Sequence, residues 1–202
     1  MWKNISLFIF FCLAFFVLPV GSLAQTYVFE GPVHNSFTTS QVISHAENKQ
    51  YIYGYLSRGI DTADYYTLDF TEYSPQVQLS LLVPDNEQSK TFRPSLIFTD
   101  SGLSKMFGEL PFGFSANIGG RVYVWDENTE DKIKDAAVSE NLLQGPSFIK
   151  DFSQKQYTIA VYDPAGRGGR YVIAVGNKIT DRGFSGFFEK IVAYLRVKFS
   201  LY

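Results

Sequence analysis

Apolar and polar residues alternate with a period of two along most of this chain. Within 64–70, Tyr66, Leu68 and Phe70 fall on one face and Tyr65, Thr67 and Asp69 on the other. Within 77–84, Val77, Leu79, Leu81 and Val83 share a face. Shorter runs of the same kind occupy 50–56, 93–100 and 120–126, followed by "YTIAVYD" and "RYVIAVG". Gly, Pro, Asp and Asn separate them. Such runs have the length and period of half-buried strands. Without strand–helix alternation or an internal repeat, they predict an all-β fold. The expectation is a jelly-roll-like antiparallel β-sandwich over 50–177, preceded by an N-terminal extension at 25–49.

The stretch "VYDPAGRGGRYVIAVG", 161–176, looks like two strands around a turn. Asp163-Pro164-Ala165-Gly166 has the residues of a type I turn: Asp bonds back to the chain, Pro presets φ, and Gly suits the fourth position. Gly168 and Gly169 then permit positive φ. An antiparallel hairpin is predicted over 158–175. A phosphate loop needs a helix after its glycines and a Lys-Ser/Thr pair; here a strand follows.

Two segments break the alternation and together read as an insertion at about 101–150. Residues 101–119 are rich in Gly and Phe without a clear period. Residues 129–144 read either as a short helix capped by Thr129 or as a solvated loop. The end of the chain, 178–202, reads as an amphipathic tail. At about 100° per residue, Phe184, Phe188, Ile191, Leu195 and Phe199 form one stripe bordered by Phe187 and Val192. Glu189, Ala193, Arg196 and Ser200 lie opposite. The stripe is expected to be a contact surface, buried either on the protein itself or a partner, or on a membrane. Lys190, Arg196 and Lys198 outnumber Glu189 and suit an anionic lipid surface.

The start changes the picture of where the chain resides. Lys3 precedes an apolar run from Ile5 to about Val20, then Ser22 and Ala24. This is the pattern of a secretory signal peptide over 1–24, cut after Ala24, with an uncleaved N-terminal anchor as the alternative. The expected location is the periplasm or the cell surface, with peripheral membrane attachment as a variant. The one cysteine, Cys12, lies inside the apolar run. Thiol catalysis and cysteine metal sites are therefore excluded from the exported part. The formal net charge is −2 and no basic stripe suggests nucleic acid. Aromatics make up 17% of the residues, which suits pleated strands.

The order "YGYL", "DTADYYTLDF", "VQLSLLVP", "PSLIF" and "YTIAVYDPAGRGGRYVIAVG" resembles the bacterial pre-peptidase C-terminal type of domain. Asp61-Thr-Ala-Asp64-Tyr65-Tyr66-Thr-Leu68 matches its Asp-x-Asp-Tyr-Tyr-x-Phe stretch, with one extra residue between the acids. Gly169-Arg-Tyr171-Val-Ile173 matches its Gly-x-Tyr-x-Leu ending. The chain is also similar to uncharacterised secreted bacterial proteins that share a YDPxGxxGxYVxAxG ending. The resemblance covers roughly 50–177. It implies a sandwich that accompanies secreted enzymes, or binds polymers and surfaces, without catalysis of its own. Some relatives are stabilised by calcium.

Candidate chemistry is sparse. His34 and His45 precede the first clear strand and do not stand at metal-ligand spacing. No G-x-S-x-G elbow exists. No catalytic residue and no cofactor is assigned. The weak metal candidates are Asp61 and Asp64, which flank a turn and either offer oxygens to calcium or cap the turn. The acidic run "WDENTED", 125–131, reads as a solvated loop. Tyr51, Tyr53 and Tyr55 share one side of a strand. They form either a stacking platform for sugars or part of the core or a sheet edge. The expected function is a non-enzymatic extracytoplasmic binding or accessory module for a protein or polysaccharide partner. The alternatives are a small secreted hydrolase with its site in 101–150 and a membrane-associated structural protein held by its tail.

Overall fold

A computed structural model describes residues 25–31, 37–59, 62–100, 103, 119–126, 131–135, 138–178 and 183–199. Residues 1–24, read from the sequence as a signal peptide, and residues 104–118 lie outside these. Eleven strands and one helix follow in order among the described residues. They are β1 (Thr26–Phe29), β2 (Gln41–Ser44), β3 (Gln50–Leu56), β4 (Ala63–Asp69), β5 (Ser74–Pro84), β6 (Ser95–Thr99), β7 (Gly120–Tyr123), β8 (Asp131–Asp135), β9 (Glu140–Phe152), β10 (Gln156–Tyr162), β11 (Gly169–Val175) and α1 (Gly183–Phe199).

The strands form two sheets, ordered β1-β3-β11-β5-β9-β8 and β2-β4-β10-β6-β7. The fold is the all-β sandwich that the alternation predicts. Its sheets are mixed, however, where a purely antiparallel sandwich was expected. β1 runs parallel to β3, and β2 parallel to β4, each at a sheet edge. Both exceptions come from 25–49. That segment is no mere extension: it adds one strand to each sheet. The link from β1 to β3 passes through β2 on the other sheet, and so supplies the long crossover that a parallel pair requires.

The space between the sheets is filled by the alternate residues the sequence places inward. Tyr66, Leu68 and Phe70 from β4 and its end meet Val77, Leu79, Leu81 and Val83 from β5, with Ile159, Val161, Ile173 and Val175. Phe70, Phe98, Phe152 and Tyr157 interlock at one end. Phe70 stacks on Phe152 at 4.5 Å, and Tyr157 meets Phe152 edge-on at 4.8 Å. Such pairs add to the value of their burial. The Tyr157 hydroxyl accepts the backbone N–H groups of Ser153 and Gln154 at 2.9 and 2.8 Å, which pins the β9–β10 turn.

The 158–175 hairpin is not formed. β10 pairs with β4 and β6, whereas β11 pairs with β3 and β5 in the opposite sheet. The turn chemistry is as the sequence suggests: Gly166 N–H donates to the Asp163 carbonyl at 2.9 Å. What differs is the path afterwards. Gly166 and Gly168 take φ of 63° and 67°, which swings the chain across the sandwich. Gly168 passes so near the backbone of Leu56 and Ser57 that a Cβ would collide with it. The Asp163 carboxylate, fully buried, holds this corner. It accepts N–H groups from Ala165 at 3.0 Å and Arg167 at 2.7 Å, and the Arg167 guanidinium at 3.2 Å. Burial alone would raise its pKa. The Arg167 side chain and the backbone donors outweigh burial and hold it below the usual carboxylate range.

The region read as an insertion contributes β7, β8 and most of β9. Where described, residues 129–144 form two strands and a turn at 138–139 in place of a helix or a solvated loop: Asp131–Asp135 and Glu140–Phe152 pair with each other. Gly145-Pro146 falls inside β9 and does not end it. It lies in a register shift of β9 against β5, between Gln144 and Ser147. A bulge needs no ladder donor from proline, and it tolerates glycine. Gly145 also leaves room for the Trp125 ring, which a Cβ would overlap.

Two outcomes follow. Ile173→Ala, at a fully buried inward position, should lower unfolding free energy by about 2–5 kcal/mol in a urea titration. Asp163→Asn should cost about 1–3 kcal/mol near neutral pH by removing a charged acceptor. Because Asp163 has a lowered folded pKa, its contribution is present above the unfolded carboxylate value and is lost as pH falls through the folded one. The variant should therefore show a shallower loss of stability in acid.

Candidate functional site

The outer face of the six-stranded sheet is apolar because the alternate residues of its strands are as well. Tyr27 and Phe29 of β1, Tyr51 and Tyr53 of β3, Leu82, Leu142 and Val172 form a second cluster there. Helix α1 covers it. Ala193 and Val197, one turn apart, are its buried side chains in that cluster. Alanine brings the helix axis close to the sheet. The Arg196 guanidinium lies 5.0 Å from the centre of the Phe29 ring. Beneath the cluster, Asp135 is 2% exposed and accepts the hydroxyls of Tyr27 at 3.1 Å and Tyr53 at 3.3 Å. Burial, then the Asp135 charge, pushes the Tyr27 hydroxyl well above its ordinary pKa. The tyrosines considered as a sugar platform divide accordingly. Tyr51 and Tyr53 are buried in this cluster, and Tyr55 alone is exposed.

The orientation of α1 is the chief finding here. The sequence places Ala193 on the polar side, yet that side faces the sheet. Ile191, Leu195 and Phe199, members of the predicted stripe, point outward with 40%, 44% and 65% of their surface exposed. Val192 and Tyr194 are exposed as well. The side chains of Phe184, Phe187 and Phe188 lie outside the described residues. Exposed singly, such residues need no explanation; clustered on one helix they mark a contact surface. Glu189, Lys190, Arg196 and Lys198 share the helix. Among the described residues, no helix is long and apolar enough to cross a membrane.

A second constellation sits between the sheets at the end of β1. Val28 packs inward while Tyr27 and Phe29 pack outward, so the next residue, Glu30, turns inward. By the same alternation Asp64 of β4 lies inward with Tyr66, and it is buried. The Asp64 carboxylate is near enough for its charge to act on Glu30. The Tyr171 hydroxyl donates to Asp64 Oδ2 at 2.8 Å and lies 2.6 Å from the Tyr66 hydroxyl. The backbone N–H of Tyr55 donates to Glu30 Oε2 at 2.8 Å. Gly54 makes room for Tyr171, whose ring occupies the place a Cβ would take. Burial first, then the Asp64 charge, pushes the Glu30 carboxyl up to about 8.

Of the two calcium candidates, Asp64 belongs to this network and Asp61 lies outside the described residues. Among the described residues no three His, Cys, Asp or Glu side chains gather where they could hold a metal ion. His45 is exposed at a tight turn with φ of 56°, its Nδ1 3.6 Å from a Glu47 carboxylate oxygen. His34 lies outside the described residues. Of the acidic run, Asp126 and Asp131 line an open groove of about 600 Å³ with Arg121, Tyr123 and Gln144. Trp125 packs on Gly145, with Arg93 5.2 Å above its ring.

Gly54→Ala should cost about 1–3 kcal/mol in chemical denaturation, since its methyl group must displace the Tyr171 ring. A change near zero would show that the ring has free space to move. Compared with known proteins, the chain matches no family model and no curated protein.

Proposed function

We propose that the chain is an exported, non-enzymatic accessory module, similar in kind to the pre-peptidase C-terminal sandwiches, that attaches to an anionic membrane surface through α1. One observation carries this reading. The helix is seated by Ala193 and Val197, while Ile191, Leu195 and Phe199 are turned to solvent. A helix present only to cover the sheet would bury its widest apolar stripe there. This one spends its smaller face on the sandwich and keeps the larger one outward.

Charge favours lipid as the occupant. Lys190, Arg196 and Lys198 stand against Glu189 on the same helix. The exposed Lys198 reaches headgroups while the apolar side chains enter the acyl boundary, and Arg196 stays over Phe29. The helix lies along the surface in this arrangement, and the sandwich remains in water. Its own groove and loops are then free for a protein or polysaccharide partner.

Sedimentation with vesicles tests the reading. The protein should bind vesicles rich in phosphatidylglycerol and bind phosphatidylcholine vesicles more weakly, with the difference shrinking in high salt. Leu195→Asp should reduce binding tenfold or more. Because the residue is exposed, unfolding free energy should change by no more than about 0.5 kcal/mol. Equal sedimentation with and without anionic vesicles would remove the proposal.

A further inference from the structure

We propose that the pocket between the last turns of α1 and the sheet binds the phosphoethanolamine headgroup of a phospholipid. The inference rests on membrane attachment through α1 and names the lipid that the attached protein selects.

The pocket encloses about 290 Å³. Ser139, Glu140 and Arg170 line it from the sheet, and Tyr194, Val197 and Lys198 from the helix. Glu140 opens β9 and Arg170 lies near the start of β11. Arg170 Nη2 donates to Glu140 Oε1 at 3.1 Å, and the two side chains are only 19% and 15% exposed. The other oxygen of Glu140, Oε2, is buried with no hydrogen-bond partner. A carboxylate accepts at about four positions, and a buried acceptor left unmet is costly. The terminal torsion of a glutamate is soft, so a small rotation turns this oxygen to the pocket. The sheet wall is thus short of a donor, and a charged donor serves it best.

The helix forms the opposite wall. At about 100° per residue, Tyr194 and Lys198 stand one step round from Ala193 and Val197, which are seated on the sheet. Ile191 and Leu195 lie further round and face away. Tyr194 and Lys198 are exposed, and they occupy the flank between the two sides. Arg196 belongs to the other flank, over Phe29. When the outward stripe enters the acyl boundary, the flank of Tyr194 and Lys198 meets the headgroup layer.

Measured from the membrane, the order is apolar stripe, Lys198, then Glu140 on the sandwich. A phosphatidylethanolamine presents acyl chain, phosphate and ammonium in the same order. Lys198 therefore takes the phosphate, with the Ser139 and Tyr194 hydroxyls as further donors, and Glu140 takes the ammonium. Phosphatidylcholine carries the same two charges but has no N–H to give. Phosphatidylglycerol has hydroxyls but no positive end.

Two arms test this with the full chain. In the first, vesicles hold a fixed share of phosphatidylglycerol, and the remainder is either phosphatidylethanolamine or phosphatidylcholine. The protein should bind the ethanolamine vesicles at least about fivefold more tightly, and Glu140→Gln should bring the ratio close to one. A ratio near one in the unaltered chain would overturn the pocket. So would an undiminished ratio in Glu140→Gln, which would trace the preference to looser packing of the ethanolamine bilayer. The second arm needs no membrane. Glycerophosphoethanolamine, titrated into the unaltered chain and followed by NMR, should shift the backbone amides of Ser139, Glu140, Arg170 and Lys198, and glycerophosphocholine should leave them in place. Equal shifts with both, or none with either, would overturn the pocket. Failure to sediment with any vesicle, with glycerophosphoethanolamine still shifting those amides, would remove attachment through α1 and leave the pocket to a soluble phosphoethanolamine.

Discussion

A tyrosine hydroxyl buried between two sheets must find a hydrogen-bond partner, and here the partner is in the other sheet. Tyr171 belongs to β11 of the six-stranded sheet, whereas Asp64 and Tyr66 belong to β4 of the five-stranded one. An unpaired hydroxyl at this depth costs more than the bond itself gains. The two sheets are thus held in one relative position by a polar link inside an otherwise apolar core. Gly54 is small because Tyr171 must pass it. The link that registers the sandwich also brings a titratable group, Asp64, to the end of β1.

The outer face of the same sheet follows from a different constraint. Its tyrosines and leucines are too apolar to face water, and α1 removes them from it. Close approach matters more there than the quantity of apolar surface on the helix. Ala193 and Val197 meet the sheet, Arg196 reaches over Phe29, and the larger apolar residues remain outside. The proposed lipid contact thus arises from how the helix is seated. β1 carries Phe29 on the outer side of that bed and leads into Glu30 on its inner side.

Alternation made much of the sandwich legible. The facing of Tyr66, Leu68 and Phe70, of the β5 leucines and of Ile173 follows from period two, and so does the inward facing of Asp64. The same rule applied to "TYVFE" would have turned Glu30 inward beside Val28, but a segment read as an extension invites no such test. Pairing was less legible. The Asp163 turn has the same local chemistry whether the next strand returns beside the first or crosses to the other sheet. Contacts distant in sequence decide between them, such as Gly168 against Leu56. Gly145-Pro146 is accommodated by a bulge that only the neighbouring strand reveals. The helix was legible as a helix. Its rotation was not, because periodicity locates the apolar stripe without revealing that a small residue on the opposite side will dock.

The account rests most on that rotation, and the chain allows a direct measurement because Cys12 is its one cysteine. With Cys12 replaced by serine, single cysteines at positions 193 and 195 can be reacted with a water-soluble maleimide. Ala193→Cys should react slowly in the folded protein and Leu195→Cys quickly, and anionic vesicles should then slow Leu195→Cys alone. Fast reaction at position 193 with protection at 195 in the absence of lipid would contradict the seating of the helix and the function drawn from it.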